Sequence, residues 1–169
     1  VRGPAGFEKL VAVKTVHTEL AKEPDFVEMF LDEARIAARI DHPNVCHVFD
    51  FGEADGRYFI AMEYLAGASL ARIFRMMTHA ERDPIDDAIV TRIVAEAAEG
   101  LHAVHELRDE RGELLQVVHR DVSPPNLFVT FTGGVRLLDF GVASARGRLH
   151  QTTAGSVKGK LTYMAPEVL

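Results

Sequence analysis

The stretch His119-Arg120-Asp121-Val122-Ser123-Pro124-Pro125-Asn126, followed by Asp139-Phe140-Gly141, decides how the rest of the chain is read. Both pieces are polar, and both interrupt short apolar runs at 114–118, 127–131 and 135–138. That alternation predicts small strands joined by polar loops. Taken alone, such loops could be turns closed by Asp and Asn side chains.

Upstream the pattern is helical. Residues 69–79 are predicted as one helix with Ser69 as its cap, and residues 84–107 as a second, capped by Asp83 with Pro84 in the first turn. Ile85, Ile89, Ile93, Val94, Ala97, Leu101 and Val104 give the second helix an apolar stripe. Before them, the apolar run 10–13 ends at Lys14 and reads as a strand, preceded by a turn at 3–6. Pro24-Asp25 opens a helix carrying Phe26, Met29, Phe30, Glu33, Ile36, Ala37 and Ile40 at helical spacing, and 41–44 stops it. Two further strands are expected at 45–51 and 58–64, around a turn at 53–56, with a break at Gly67. Strands around one helix, then mostly helices with small strands, imply an α+β fold.

Composition narrows the function classes. Hydrophobic residues make up 47% and charged residues 26%, the mix of a soluble globular protein. A net charge of -6 argues against nucleic-acid or anionic-membrane binding. Cys46 is the only cysteine, so no intrachain disulfide forms, which fits a reducing cytoplasm. It reads as a small buried hydrophobe. No apolar run is long enough to span a bilayer.

Four motifs stand in order: Val11-Ala12-Val13-Lys14, the 119–126 stretch, Asp139-Phe140-Gly141 and Tyr163-Met164-Ala165-Pro166-Glu167. In this combination the chain resembles the protein kinase family over essentially its whole length, and its loops look most like those of bacterial serine/threonine kinases. The resemblance implies a two-lobed kinase-like fold, with a partial small lobe at 1–66 and a partial large lobe at 67–169. It implies ATP-dependent, Mg²⁺-assisted phosphoryl transfer to serine or threonine hydroxyls of a protein substrate. A catalytically weak kinase-like binding or regulatory module is the alternative.

Residue by residue, the resemblance implies that Lys14 holds the α/β-phosphates and that Glu33 fixes Lys14, with Glu28 and Asp32 as other possible partners. Asp121 would accept or orient the substrate hydroxyl proton, and Asn126 and Asp139 would be the metal ligands. Ala12 and Phe128 match the positions above and below the adenine ring. Met62 matches the gatekeeper, and Glu63 to Leu65 the hinge. Arg120 would meet a phosphorylated residue of the 139–167 segment, which carries Ser144, Thr152, Thr153 and Ser156; Thr152 and Thr153 are the preferred acceptors.

Two departures from the family pattern matter. Ser123 stands where serine/threonine kinases usually carry a lysine that contacts the γ-phosphate, and Lys160 stands where they usually carry a threonine. The two places touch in the family, which suggests a swap in which Lys160 supplies the missing charge. In addition, no glycine-rich phosphate loop precedes Lys14, and the chain ends just after Ala-Pro-Glu. The chain is therefore expected to be a kinase fragment truncated at both ends, with exposed apolar helix faces and weak ATP binding. His102 and His105 share a helix face without a third ligand, so no zinc site is expected there. His119 is expected in the core, and Arg35 and Arg39 on a solvated helix face.

Overall fold

The computed structural model describes residues 6, 8–16, 19–80, 83–139 and 163. Its first sheet is built from β1 (Val11–Thr15), β2 (Val48–Ala54) and β3 (Arg57–Glu63) in the order β1-β3-β2, antiparallel throughout. The tight turn between β2 and β3 rests on Asp55 and Gly56, both at positive φ, 51° and 71°. Glycine adopts that conformation without a Cβ penalty. The turn is thus shorter than the expected 53–56, because Glu53 and Ala54 still pair with Tyr58 and Arg57.

Helix α1 (Pro24–Ala37) packs Phe30, Glu33, Ala34 and Ala37 inward, with Pro24 in its first turn, where a missing N–H costs nothing. Its apolar residues join one core cluster with Val16, Ile40, Val45, Val48, Ile60, Val104, Val117 and Leu137. That cluster draws on both sheets and on the long helix, so the parts of the fold share a core.

The second sheet orders β4 (Gly67–Ser69), β5 (Leu127–Thr130) and β6 (Val135–Leu137), again antiparallel. Gly67 is not simply a break but opens β4. A Cβ there would collide with the Val129 carbonyl oxygen, so only glycine lets β4 approach β5 this closely. Helix α2 (Leu70–His79) begins as expected, with the Ser69 hydroxyl accepting the Arg72 N–H at 3.4 Å.

Helix α3 covers Asp87–His105, shorter than the expected 84–107. Its cap is Asp86, whose carboxylate accepts the Ala88 N–H at 2.8 Å, not Asp83. Pro84 and Ile85 lie before the helix. The run 114–118 does not form a strand; a single antiparallel bridge joins Arg108 to Leu114. The strand expected at 45–51 splits likewise. Val45 makes a parallel bridge to Leu137 of the second sheet, and regular pairing with β3 begins only at Val48.

Arg35 pairs with Asp32 at 2.8 Å, while exposed Arg39 reaches across to donate to the Arg108 carbonyl at 3.1 Å. His102 and His105 are both exposed, and no metal-binding cluster of His, Cys, Asp or Glu occurs among the described residues. No helix among the described residues is long and apolar enough to cross a membrane.

Candidate active site

Alternation along β1 turns Val13 and Thr15 outward and puts Ala12 and Lys14 together on the other, more covered face. Ala12 lies directly opposite Met62 of β3, and Lys14 opposite Ile60. The Lys14 ammonium then meets two carboxylates. It lies 3.4 Å from Glu33 Oε1 on α1 and 2.8 Å from Asp139 Oδ1, just beyond β6. Of the three candidate acids on α1, Glu28, Asp32 and Glu33, it is therefore Glu33 that pairs with Lys14.

Burial and charge pull against each other here. Burial pushes the Glu33 carboxyl up to about 6; Lys14 opposes this, while Asp139 and Asp121 add to it. Burial pulls Lys14 down, but the Glu33 and Asp139 carboxylates outweigh it and hold the ammonium above its ordinary range. The pair thus stays charged at neutral pH.

Asp121 sits on the loop after α3. Ser123 Oγ donates to its Oδ1 at 3.4 Å, and Asn126 Nδ2 donates to its Oδ2 at 3.0 Å and to its carbonyl at 2.9 Å. The Asp121 N–H donates to His119 Nδ1 at 3.3 Å, which leaves the ring proton on Nε2, and Nε2 donates to the Leu138 carbonyl at 3.1 Å. His119 is 1% exposed, and burial pulls its pKa down, so the ring is neutral. It is a buried bracket between the two loops, as expected of a core histidine. The Leu138 N–H completes the bracket by donating to the Asn126 carbonyl at 2.9 Å.

Two clusters thus form. Lys14 touches both Glu33 and Asp139, and Asp121 touches both Ser123 and Asn126. The backbone of Leu138, next to Asp139, ties them together. Asp139 and Arg120 both have left-handed backbones, φ 46° and 61°. Non-glycine residues pay strain there, and such positions concentrate at functional sites.

Glu63 ends β3. Its carboxylate accepts the His47 N–H at 3.0 Å and faces Arg136 of β6 at 3.6 Å. Half-buried Leu65 lies in the link between the sheets, and Phe128 on β5 pairs with Ser69 and Arg136. Cys46 is buried beside a small cavity of about 20 Å³ that is also lined by Glu33, Met62 and Asp139. Burial pushes its thiol up to about 12.

Lys160, Ser144, Thr152, Thr153, Ser156, Phe140, Gly141 and the Ala-Pro-Glu residues lie outside the described residues. Conversely, nothing in the sequence patterns marks Asn44, Glu96 or Arg136 as linking residues. Each contacts a partner far along the chain, and only the assembled fold reveals it.

A family model for the protein kinase domain matches residues 5–169, so the chain belongs to the protein kinase family. It is 48% identical over 165 residues to the tyrosine-protein kinase MasK of Myxococcus xanthus, covering 98% of this chain and 25% of that protein. It is 35% identical over 160 residues to the serine/threonine-protein kinase PknH of Mycobacterium tuberculosis, covering 95% of this chain and 24% of that protein. The solved kinase domain of Mycobacterium tuberculosis PknI matches with a TM-score of 0.64 at 31% identity, over 80% of this chain and 51% of that one. The chain spans about a quarter of the curated relatives and about half of the solved kinase domain.

Proposed function

We propose that this chain carries the phosphoryl-transfer site of a protein kinase that uses Mg²⁺ and ATP and acts on protein serine and threonine hydroxyls. The observation that carries the reading is the meeting of Lys14 with both Glu33 and Asp139, beside the Asp121–Asn126 pair. Phosphoryl transfer depends on alignment and charge neutralisation more than on covalent work. A fixed cation, a proton acceptor and hard oxygen ligands on neighbouring elements are what that requires.

In this reading Lys14, held by Glu33, binds the α/β-phosphates. Ala12 and Phe128 enclose the adenine, Met62 stands at the back, and Glu63 to Leu65 offer backbone groups to the ring edge. Asp121 accepts or orients the proton of the incoming hydroxyl. Its two bonds, from Ser123 and Asn126, fix the carboxylate plane before substrate arrives.

The donor set fits a magnesium ion. Asn126 uses its amide nitrogen on Asp121, which turns the amide oxygen away, and Asp139 has one oxygen on Lys14 and a second oxygen besides. One carboxylate and one amide oxygen, completed by water and phosphate, suit Mg²⁺. When bound, the ion would offset negative charge developing on the phosphate oxygens.

Ser123 leaves the catalytic loop without the usual lysine, and Lys160 is proposed to supply that charge from the 139–167 segment. Lys160→Met in the full-length protein should then cost turnover heavily; unchanged turnover would end this part of the reading. Arg120, exposed on its left-handed residue, is proposed to receive phosphorylated Thr152 or Thr153. The lobe boundary is proposed at 66/67 and the location as cytoplasmic.

A second reading, tyrosine specificity, is favoured by the name of the 48% identical relative and by the absence of lysine at position 123. A third, a kinase-like regulatory module without turnover, also draws on Ser123. One experiment separates all three. Full-length protein is incubated with γ-labelled ATP and a generic protein substrate, and the labelled residues are identified. Label on serine and threonine that disappears in Asp121→Asn supports the main reading, and label on tyrosine supports the second. Wild-type label no higher than that of Asp121→Asn leaves the third.

A further inference from the structure

The link between α1 and β2 is seated in a socket made by the second sheet and α3. Asn44 occupies it. Its carbonyl accepts the Leu137 N–H at 2.8 Å, and its Nδ2 donates to the Val135 carbonyl at 3.1 Å and to Glu96 Oε2 at 3.3 Å. The same Glu96 oxygen accepts the Val135 N–H at 2.8 Å, while its other oxygen takes Arg92 Nε at 2.8 Å. One helical turn on, Gly100 forms the floor. A Cβ there would stand 2.8 Å from the Asn44 carbonyl oxygen and 2.8 Å from Leu137 Cδ1. Next to Asn44, Val45 bridges Leu137, and the Cys46 N–H donates to the Leu137 carbonyl at 2.9 Å.

The socket's place in the chain gives it leverage. On one side it holds the connection leaving α1, the helix that carries Glu33. On the other it holds β6, the strand that leads through Leu138 to Asp139. Glu33 and Asp139 are the two acids that must stand around Lys14. The hydrogen bond from Arg92, then that from the Val135 N–H, holds the Glu96 carboxyl below its usual range, so it is ionised at neutral pH and accepts strongly.

We propose that Glu96 is a positioning residue for phosphoryl transfer: with Gly100 it seats Asn44 on β6 and thereby fixes the separation of Glu33 and Asp139 about Lys14. The proposal rests on the kinase reading above. A misplacement of about 1 Å at a reacting centre can cost on the order of a hundredfold in rate. Loosening the socket acts on that separation without touching nucleotide or substrate.

The test is steady-state phosphorylation by the full-length protein. Glu96→Ala should lower kcat by about tenfold to a hundredfold, with melting still well above the assay temperature. Arg92→Ala, which removes only the outer partner, should stay within about threefold, the size of an exposed ion pair. Glu96→Gln, whose amide oxygen can take both the Asn44 and Val135 N–H groups, should restore most of the loss. Gly100→Ala should reproduce it by displacing Asn44, although alanine is the better helix former, and it serves if Glu96→Ala does not fold. A purely structural role would add to other losses, whereas Glu96→Ala should cost little more in a Glu33→Gln background. Folded Glu96→Ala or Gly100→Ala protein with wild-type kcat, or fully additive losses, overturns the proposal. Asp121→Asn run in parallel keeps the two readings apart, since residual activity there would fault the site rather than the socket.

Discussion

Lys14 Nζ and Asp139 Oδ1 stand 2.8 Å apart although 125 residues separate them in the chain. The contact joins the first sheet to the strand end of the second, and Glu33 closes the triangle from α1 at 3.4 Å. No local preference could produce it. It depends on the common core that locks α1, both sheets and α3 together.

Replacing the cation should expose how much it offsets. In Lys14→Met, buried Glu33 loses its opposing charge, and its pKa should climb above about 6. The variant should therefore lose more stability at pH 8 than at pH 5, relative to wild type, and should bind Mg-ATP at least tenfold more weakly. Thermal melts at the two pH values and titration with nucleotide check both outcomes.

Glu33 also predicts a pH dependence of its own. Its folded pKa lies above the unfolded value of 4.5, so its contribution to stability is full below 4.5 and is lost as pH rises through about 6. Compared with Glu33→Gln, the wild-type melting temperature should fall across that window. Nucleotide affinity should run the opposite way, because only ionised Glu33 holds Lys14. It should weaken as pH drops below about 6. A melting difference between wild type and Glu33→Gln that is flat from pH 4.5 to 7 would contradict the assignment.

Cys46 should be inert in the folded state. Burial, helped by Glu63 and Asp139, raises its thiol to about 12, so almost no thiolate exists at pH 8. Iodoacetamide at pH 8 should label it only after denaturant is added. Rapid labelling of native protein would show that the cavity beside Met62 is open.

The two candidate caps of α3 can be told apart by stability. Asp86→Ala removes the bond to the Ala88 N–H and should cost about 1 kcal/mol, whereas Asp83→Ala should change the denaturant midpoint little. Gly67→Ala should be far worse, because its Cβ would meet the Val129 carbonyl and come within 2.7 Å of Thr130 Cα. Overpacking of that kind costs roughly 1–3 kcal/mol or more.

Much of this was legible in the chain itself. Apolar spacing located α1, α2 and the lysine strand, whereas the Asp121–Asn126 and Asp139 loops, which alone could pass for polar turns, were readable only through their resemblance to kinase motifs standing in the family's order. The start of α3 misleads because Pro84 suits a first helical turn, yet Asp86 offers its carboxylate two residues later and wins. β4 was hidden because Gly-Ala-Ser has no strand preference; it forms only through its partner β5. Glu96 was invisible for a different reason. On the helix it looks like any outward carboxylate, and its partner Asn44 lies 52 residues away.

The parallel bridge between Val45 and Leu137 has a practical bearing on protein engineering. Cutting after residue 66 to graft the front half onto another kinase would strip Asn44 and Cys46 of the three backbone groups they bond on Val135 and Leu137, two through their own backbone and one through the Asn44 amide. A working chimera would have to bring that strand along from the same parent, so the smallest transplantable unit is discontinuous in the gene.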